Sequence, residues 1–403
     1  MSESGPAGGW GRFALAAYGP TTLSSVGHGA IAPLVALSAL DLGASVQLSA
    51  MVAGLAAIGQ LLGDLPASWV ATRLGDKRAI VVACLWDAAF LTVACLSRSL
   101  PLLAVAVLCF GPAGAVFGLA RQSYITESAP AAVRARALST LGGAFRFGAF
   151  LGPLAGAAII DRWSLSAAYG FAAGMSLLAA GLTLTLPDLP GERVRPGQRP
   201  DEAKLWPVLR HYHKVYLRLG TGVMILSLAR SCRQVILPLW CAAQGFTAQS
   251  TSLVYAVSMA IDTSLFFLGG LIMDRHGRRW VAVPSMIVLG LGLAGLSLAH
   301  HPAAVVVMAA VLGLGNGVGA GLVMVLGSDA SPAVGRPQFL SGWRLMSDVG
   351  NTLAPVAISA LVALTASLGL AAVGLGAVVG LGAAWLGSGI PRRSPPPPGG
   401  GSA

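Results

Sequence analysis

The chain has 403 residues, 55% of them hydrophobic and only 10% charged, against roughly 25% charged in a soluble globular chain, so water is excluded as its main solvent. The 26 Lys and Arg against 15 Asp and Glu give a formal net charge of +11, and in so apolar a chain the placement of that surplus is read first against a membrane, ahead of nucleic acid. Cys84, Cys95, Cys109, Cys232 and Cys241 all sit in apolar stretches without metal-type spacing, which predicts neither disulfides nor a metal site.

A hydrocarbon core about 30 Å thick takes roughly 20 apolar residues per helix. Residues 1–12 are Gly-rich and lack a basic region followed by a small-residue cleavage site, so a retained cytoplasmic N-terminus is expected. Apolar runs broken by charge, Pro and Gly then predict helices over 13–40, 46–72, 79–97, 101–126, 137–160 and 165–186. These form an N-terminal six-helix bundle, 13–186. Residues 187–214 mix Pro with both charge signs and few aliphatics, the composition of a solvated cytoplasmic linker. The pattern resumes over 215–242, 249–273, 280–299, 302–328, 338–364 and 367–389 as a C-terminal bundle, 215–389. Residues 390–403, rich in Pro and Gly, read as a disordered cytoplasmic tail. The expected fold class is an all-α integral membrane protein of 12 transmembrane helices.

Lys and Arg set the orientation. With the N-terminus inside, the inner segments hold Arg12, Arg73, Lys77, Arg78, Arg134, Arg136, the basic residues of the linker, Arg218, Arg275, Arg278, Arg279, Arg336, Arg392 and Arg393, while the outer loops hold only Arg98 and Arg162. The positive-inside rule therefore places both termini in the cytoplasm, and the expected location is the cell inner (plasma) membrane. An offset of 202 residues lays Arg73 on Arg275, Gly75 on Gly277, Pro130 on Pro332, Arg134 on Arg336, Leu138 on Leu340, Ser139 on Ser341, Gly148 on Gly350 and Pro153 on Pro355 without a gap. Matches of scattered Arg, Gly and Pro in one register mark a parallel pseudo-repeat of two six-helix bundles, with a solute site expected between them at the bilayer midplane.

The eighth helix ends in Gly269-Gly270-Leu-Ile-Met-Asp274-Arg275-His-Gly277-Arg278-Arg279, and the second in Ala67 to Arg78 with Arg73 and Gly75. Small residues permit close helix contact, Gly75 and Gly277 permit a tight turn, and the basic cluster holds the loop on the inner face. Both segments resemble the G-x-L-A-D-R-x-G-R-R signature of the major facilitator superfamily. In the first copy Thr72 stands where the family has its acidic residue and Asp76 where it has Arg, so the charge lock that the resemblance implies between that loop and helix 11 would need another acid, for which Asp64 is the candidate. Helix 5 carries Gly148-x-x-x-Gly152-Pro153-x-x-Gly156, similar to the helix-5 motif of the drug:proton antiporter group, with Ala157 in place of a final Gly.

That resemblance implies a secondary transporter working by alternating access, with protons as coupling ion, exporting a small drug-like or metabolic compound. Its partners would be a small-molecule substrate and the lipid bilayer, with no nucleic acid, no cofactor and a monomeric state. The alternatives are a carrier for an anionic or polar metabolite, since Arg230, Arg233 and Arg146 suit a carboxylate or phosphate, or an uncoupled facilitator. No Walker loop, metal cluster or nucleophile elbow occurs in the sequence, so no enzyme is expected. The Ala/Gly/Arg bias hints at a bacterial source.

Ionisable residues within spans cost roughly 2.5 to 3.5 kcal/mol each on insertion scales and normally face a wet cavity or a partner. Arg121, Arg146, Arg230, Arg233, Arg344, Asp64, Asp87, Asp262, Asp348 and His28 are of this kind. An Arg230 to Asp262 bridge is expected between helices 7 and 8, with Asp262 or Asp348 as the proton-binding switch. Asp87 and His28 read more simply as polar packing. Trp86, Tyr124, Trp240, Tyr255 and Trp343 could line a drug site or anchor the protein in the membrane interface.

Overall fold

The computed structural model describes residues 7–129, 134–186, 205–332 and 335–390. The first six residues, Pro130, residues 187–204 of the expected linker and the tail from 391 lie outside them. Among the described residues the chain forms sixteen α-helices and one π-helical turn, with no strand. They are α1 (Ala7–Ile31), α2 (Leu34–Asp41), α3 (Val46–Leu74), α4 (Asp76–Leu96), α5 (Leu100–Ser128), α6 (Arg134–Arg162), α7 (Leu165–Leu184), α8 (Leu205–His211), α9 (His213–Val215), a π-turn at Tyr216–Gly220, α10 (Thr221–Ala243), α11 (Ala248–His276), α12 (Arg279–Leu296), α13 (Pro302–Val318), α14 (Leu322–Ala330), α15 (Arg336–Thr365) and α16 (Leu368–Gly389). Twelve helical segments are long and apolar enough to cross a membrane. Phe267, Leu291, Met324 and Leu364 are exposed on them, as side chains solvated by lipid can be.

The structure departs from the expected helices in three places. The first span is interrupted at Ala32–Pro33, where Pro33 lacks the N–H that would continue the ladder, and α2 restarts beyond it. The linker expected to be solvated up to 214 is helical over Leu205–His211. There Leu209 lies against Gly342, and the ring of Tyr212 meets Phe339 edge-on at 5.5 Å, so an apolar face hidden among basic residues docks on α15. The tenth span breaks at Gly319–Gly321, within a run that places glycine at 313, 315, 317, 319 and 321. Glycine is about 1 kcal/mol per residue poorer than alanine in a helix. The backbone there tightens to Ala320 N–H on the Gly317 carbonyl at 3.2 Å and Leu322 N–H on the Gly319 carbonyl at 3.1 Å.

By internal contacts the chain divides into two compact units, Met1–Arg199 with Gln234–Met259, and Pro200–Arg233 with Ala260–Ala403. One division, between Arg199 and Pro200, falls in the expected linker, and two more fall within α10 and α11. Ala242 and Ala248, on either side of the α10–α11 turn, pack on the cluster of Ile31, Leu34, Leu91, Leu103 and Tyr169 and so join the first unit.

Within the first unit α6 seats on α1. A Cβ on Gly148 would meet the Thr22 carbonyl at 2.6 Å, one on Gly152 the Cα of Gly29 at 2.6 Å, and one on Gly156 the Ala30 carbonyl at 2.7 Å. Within the second unit a Cβ on Gly350 would strike the carbonyl of Met224. Gly148 with Thr22 and Gly350 with Met224 are the same pair displaced by the repeat offset, so the internal symmetry read from sequence extends to helix contacts. Gly75 and Gly277 hold φ of 80° and 95°, the left-handed region that the two tight turns require and that glycine adopts without strain.

Candidate functional site

Charge is buried in each unit, held between helices that are apolar elsewhere. In the second unit α10 supplies Arg230 and Arg233, α11 supplies Asp262, and α13 supplies Asn316. Gly317 brings the helices together, since a Cβ there would meet the Asp262 carbonyl at 2.6 Å. This contact sets Asn316 beside the carboxylate. Asn316 Nδ2 donates to Asp262 Oδ2 at 2.5 Å, and Arg233 Nη2 approaches the same oxygen at 3.3 Å. Arg233 is 2% exposed, Asp262 4% and Asn316 8%. A charge pair this deep persists only with good geometry and further hydrogen bonds, because desolvating each ion costs several kcal/mol.

The sequence pointed to Arg230 as a partner of Asp262; Arg233, one helical turn beyond it, forms an ion pair with that carboxylate. Arg230 is half-buried, and its Nη2 donates to the carbonyl of Gly319 at 2.5 Å. That carbonyl sits in the α13–α14 break. Around it α10 and α15 are joined by Ser227 Oγ to Ser347 Oγ at 2.7 Å and by Ser231 Oγ donating to the Asn351 carbonyl at 2.9 Å. Asp348 meets Arg344 one turn away on α15, Nε to Oδ2 at 3.6 Å.

In the first unit His28 of α1 faces Asp87 of α4, Nε2 to Oδ1 at 3.3 Å. The second carboxylate oxygen accepts from Ser176 Oγ of α7 at 2.6 Å, and His28 Nδ1 lies 3.0 Å from the carbonyl of Ser24. Asp87 is 4% exposed. The sequence offered His28 and Asp87 as separate packing groups and carried no sign of their contact. Arg121 is sandwiched by aromatics, its guanidinium 5.5 Å from the Phe117 ring and 5.6 Å from that of Phe145. Arg146 and Asp64 are half-buried on α6 and α3.

The loop motifs resolve into distinct parts. Arg278 Nε donates to Asp329 Oδ2 at 2.7 Å, with Nη2 3.4 Å from Oδ1, which ties the α11–α12 turn to the end of α14. Arg336 Nη2 donates to Ser328 Oγ at 2.7 Å. Asp274, Arg275 and Arg73 are exposed and Arg279 is half-buried. Of the two motif glycines, Gly269 makes the close approach, since its Cβ would strike the Val318 carbonyl, whereas a Cβ on Gly270 would enter open space. Of the aromatics, Tyr124, Trp240, Tyr255 and Trp343 are buried, Trp343 donating to the Val323 carbonyl at 2.8 Å. Trp86 is exposed and donates to the Cys109 carbonyl at 2.7 Å.

Known proteins carry the same architecture. A protein of Arabidopsis thaliana described as "Probable inositol transporter 2" is 32% identical over 165 residues, which cover 39% of this chain and 27% of that protein. Solved structures share the fold at lower identity. The nucleoside transporter NupG superposes with a TM-score of 0.72 at 15% identity, over 93% of this chain and 96% of that one. A D-xylose-proton symporter superposes with 0.71 at 16%, over 94% and 98%. The sequence profile of the Major Facilitator Superfamily matches residues 21–229 and 219–403. Twelve apolar spans, an in-register repeat and a profile match over nearly the whole chain make this a multi-pass membrane transporter of the Major Facilitator Superfamily.

Proposed function

We propose that the protein is a proton-coupled secondary transporter for a small polar or anionic metabolite, working by alternating access in the plasma (inner) membrane with both termini in the cytoplasm. The observation that supports this reading best is Arg230, a cation lodged on the carbonyl of an interrupted helix and flanked by the Ser227, Ser231 and Asn316 polar groups. Interrupted spans are where transporters of this kind place backbone carbonyls and charges against a solute. A guanidinium suits a carboxylate, a phosphate or a hydroxyl-bearing solute better than a lipophilic cation. The names of the relatives, which refer to inositol, nucleosides and xylose, run in the same direction. Asp87 and Asp262 are carboxylates buried within the spans, and ionisable groups so placed mark ion or proton pathways.

Export of a drug-like compound is the second reading. It rests on Gly148, Gly152, Pro153 and Gly156, yet each of these glycines is already accounted for by the seating of α6 on α1, a contact that an importer needs equally.

Everted membrane vesicles with an acid interior and a pH-sensitive dye test both. Proton movement on addition of organic anions or neutral polyols, outward for exchange and inward for cotransport and absent without the protein, is the expected result. Arg230→Gln should then raise the half-saturating concentration at least about tenfold, since a hydrogen bond to a charged group contributes roughly 1.5–3 kcal/mol. Efflux triggered only by lipophilic cations would replace this reading with the export one.

A further inference from the structure

The His28–Asp87 contact sets a constraint on protons that follows from connectivity alone. The Ser24 carbonyl can only accept, so His28 Nδ1, 3.0 Å away, carries a hydrogen. A neutral imidazole protonated on Nδ1 presents a bare lone pair at Nε2. Yet Nε2 faces Asp87 Oδ1 at 3.3 Å, and that oxygen is buried and accepts no hydrogen bond. Two acceptors would face one another across this gap. A buried contact of that kind is repulsive, and Oδ1 would have no compensating donor from the protein.

From this we infer that the His28–Asp87 pair is a single-proton binding site, holding one proton between Nε2 and Oδ1 in the conformation described. Whether the proton resides on the imidazole or on the carboxyl, its addition turns the repulsive contact into a hydrogen bond between α1 and α4, and its loss drives them apart. The step is a proton transfer from a hydronium ion to the pair: an O–H bond of the donor breaks, one N–H or O–H bond forms on the pair, and water is left. Ser176, donating to Asp87 Oδ2 at 2.6 Å, extends the same site to α7.

The surroundings suit the role. His28 keeps 36% of its side chain exposed while Asp87 keeps 6%, so the imidazole stands between the outside of the unit and the carboxyl. A cavity of ≈ 10 Å³ adjoins the pair, lined by Ser24, Cys84, Gly114 and Phe117 among others, the space that one water takes. The groups facing the pair leave the proton nowhere else to go at neutral pH. From α5 come Phe110, whose ring meets the imidazole edge-on at 6.0 Å, with Gly114 and Phe117, none of which titrates. From α7 comes the Ser176 hydroxyl, and from α4 the Cys84 thiol. Arg230 stands at the position of His28 in the second half of the repeat. A fixed cation and a titratable one thus occupy equivalent places in the two halves. Use of the site in transport rests on the proton-coupled reading above; the presence of the proton does not.

The remaining histidines, His211, His213, His276, His300 and His301, are all exposed, so replacing them with Gln leaves His28 as the single imidazole. With nitrogen-15 histidine in lipid nanodiscs, NMR from about pH 5 to 9 reads which nitrogens carry hydrogen, and infrared difference spectra read a protonated carboxyl. The expected result is Nδ1–H throughout the range, with either a second hydrogen on Nε2 or a carboxylic acid band, lost as one proton on raising pH. Asp87→Asn should abolish that step. A neutral imidazole with its hydrogen on Nε2, or a titration unchanged by Asp87→Asn, would overturn the proposal. In the vesicle assay His28→Gln should lose gradient-driven flux and keep counterflow. If no solute drives proton movement in the unsubstituted protein, the proton-coupled reading falls, and the spectra still decide whether the pair binds a proton.

Discussion

Asp262 is held by two donors from two different helices, and the three residues answer differently to replacement. Asp262→Asn removes the carboxylate facing the fully buried Arg233 guanidinium, and breaking a buried pair from one side costs about 3–5 kcal/mol. A clear fall in melting temperature in detergent is the expected outcome. Replacing Arg233 and Asp262 together by Leu should recover most of that loss, since a well-packed apolar pair is often no less stable than the ions it replaces. Asn316→Leu, which deletes one hydrogen bond to an ion, should cost about 1.5–3 kcal/mol. These residues were legible as costly charges inside spans, because composition alone reveals them. Their partners were not. Arg230 and Arg233 lie nearly one turn apart and share a face, so choosing which meets Asp262 depends on where α13 crosses, and that depends on Gly317. The contact of His28 with Asp87 was hidden for the same reason: no local pattern ties α1 to α4.

At the level of whole helices, close packing is carried by particular glycines whose neighbours sequence cannot name. Gly269 and Gly270 are adjacent and chemically identical, yet they turn to different surroundings. Gly269→Ala would push its Cβ into the Val318 carbonyl and should lower stability by about 1–3 kcal/mol. Gly270→Ala meets nothing within 4 Å and should be neutral or stabilising by up to about 1 kcal/mol, the helix propensity gained. Thermal unfolding of the two variants side by side checks the contrast. The helices themselves, and the repeat, were readable because hydropathy and register are one-dimensional properties. The interruptions at Ala32–Pro33 and Gly319–Gly321 were not placed, although Pro and Gly mark them, because most prolines inside these spans, such as Pro66, Pro112 and Pro153, leave their helices continuous.

For the molecule as a whole, the distribution of Lys and Arg leads to a definite expectation about sides. On a cysteine-free background, Ser99→Cys in the α4–α5 connection should react with an impermeant maleimide in intact cells. His276→Cys at the end of α11 should react only after permeabilisation. The reverse pattern would invert the topology. The Arg278–Asp329 clamp belongs to this scale too. Its side chains are 24% and 45% exposed, and such bridges contribute about 0–1 kcal/mol. Arg278→Ala should therefore leave the melting temperature within a few degrees while changing the turnover rate, which flux and unfolding measurements on one preparation would separate.

Arg230 and Arg233 also make α10 the least apolar of the twelve spans, and this bears on how the chain enters the bilayer during synthesis. Each arginine at a helix centre raises the insertion free energy by roughly 2.5–3.5 kcal/mol, and the carboxylate that meets Arg233 is made only afterwards, on α11. At roughly 5–20 residues per second the ribosome delivers Asp262 within a few seconds. Until then α10 has reason to linger at the translocon. The two helices should leave it as a hairpin, and a nascent chain arrested between Arg233 and Asp262 should remain crosslinkable to the insertion machinery longer than one arrested after Asp262.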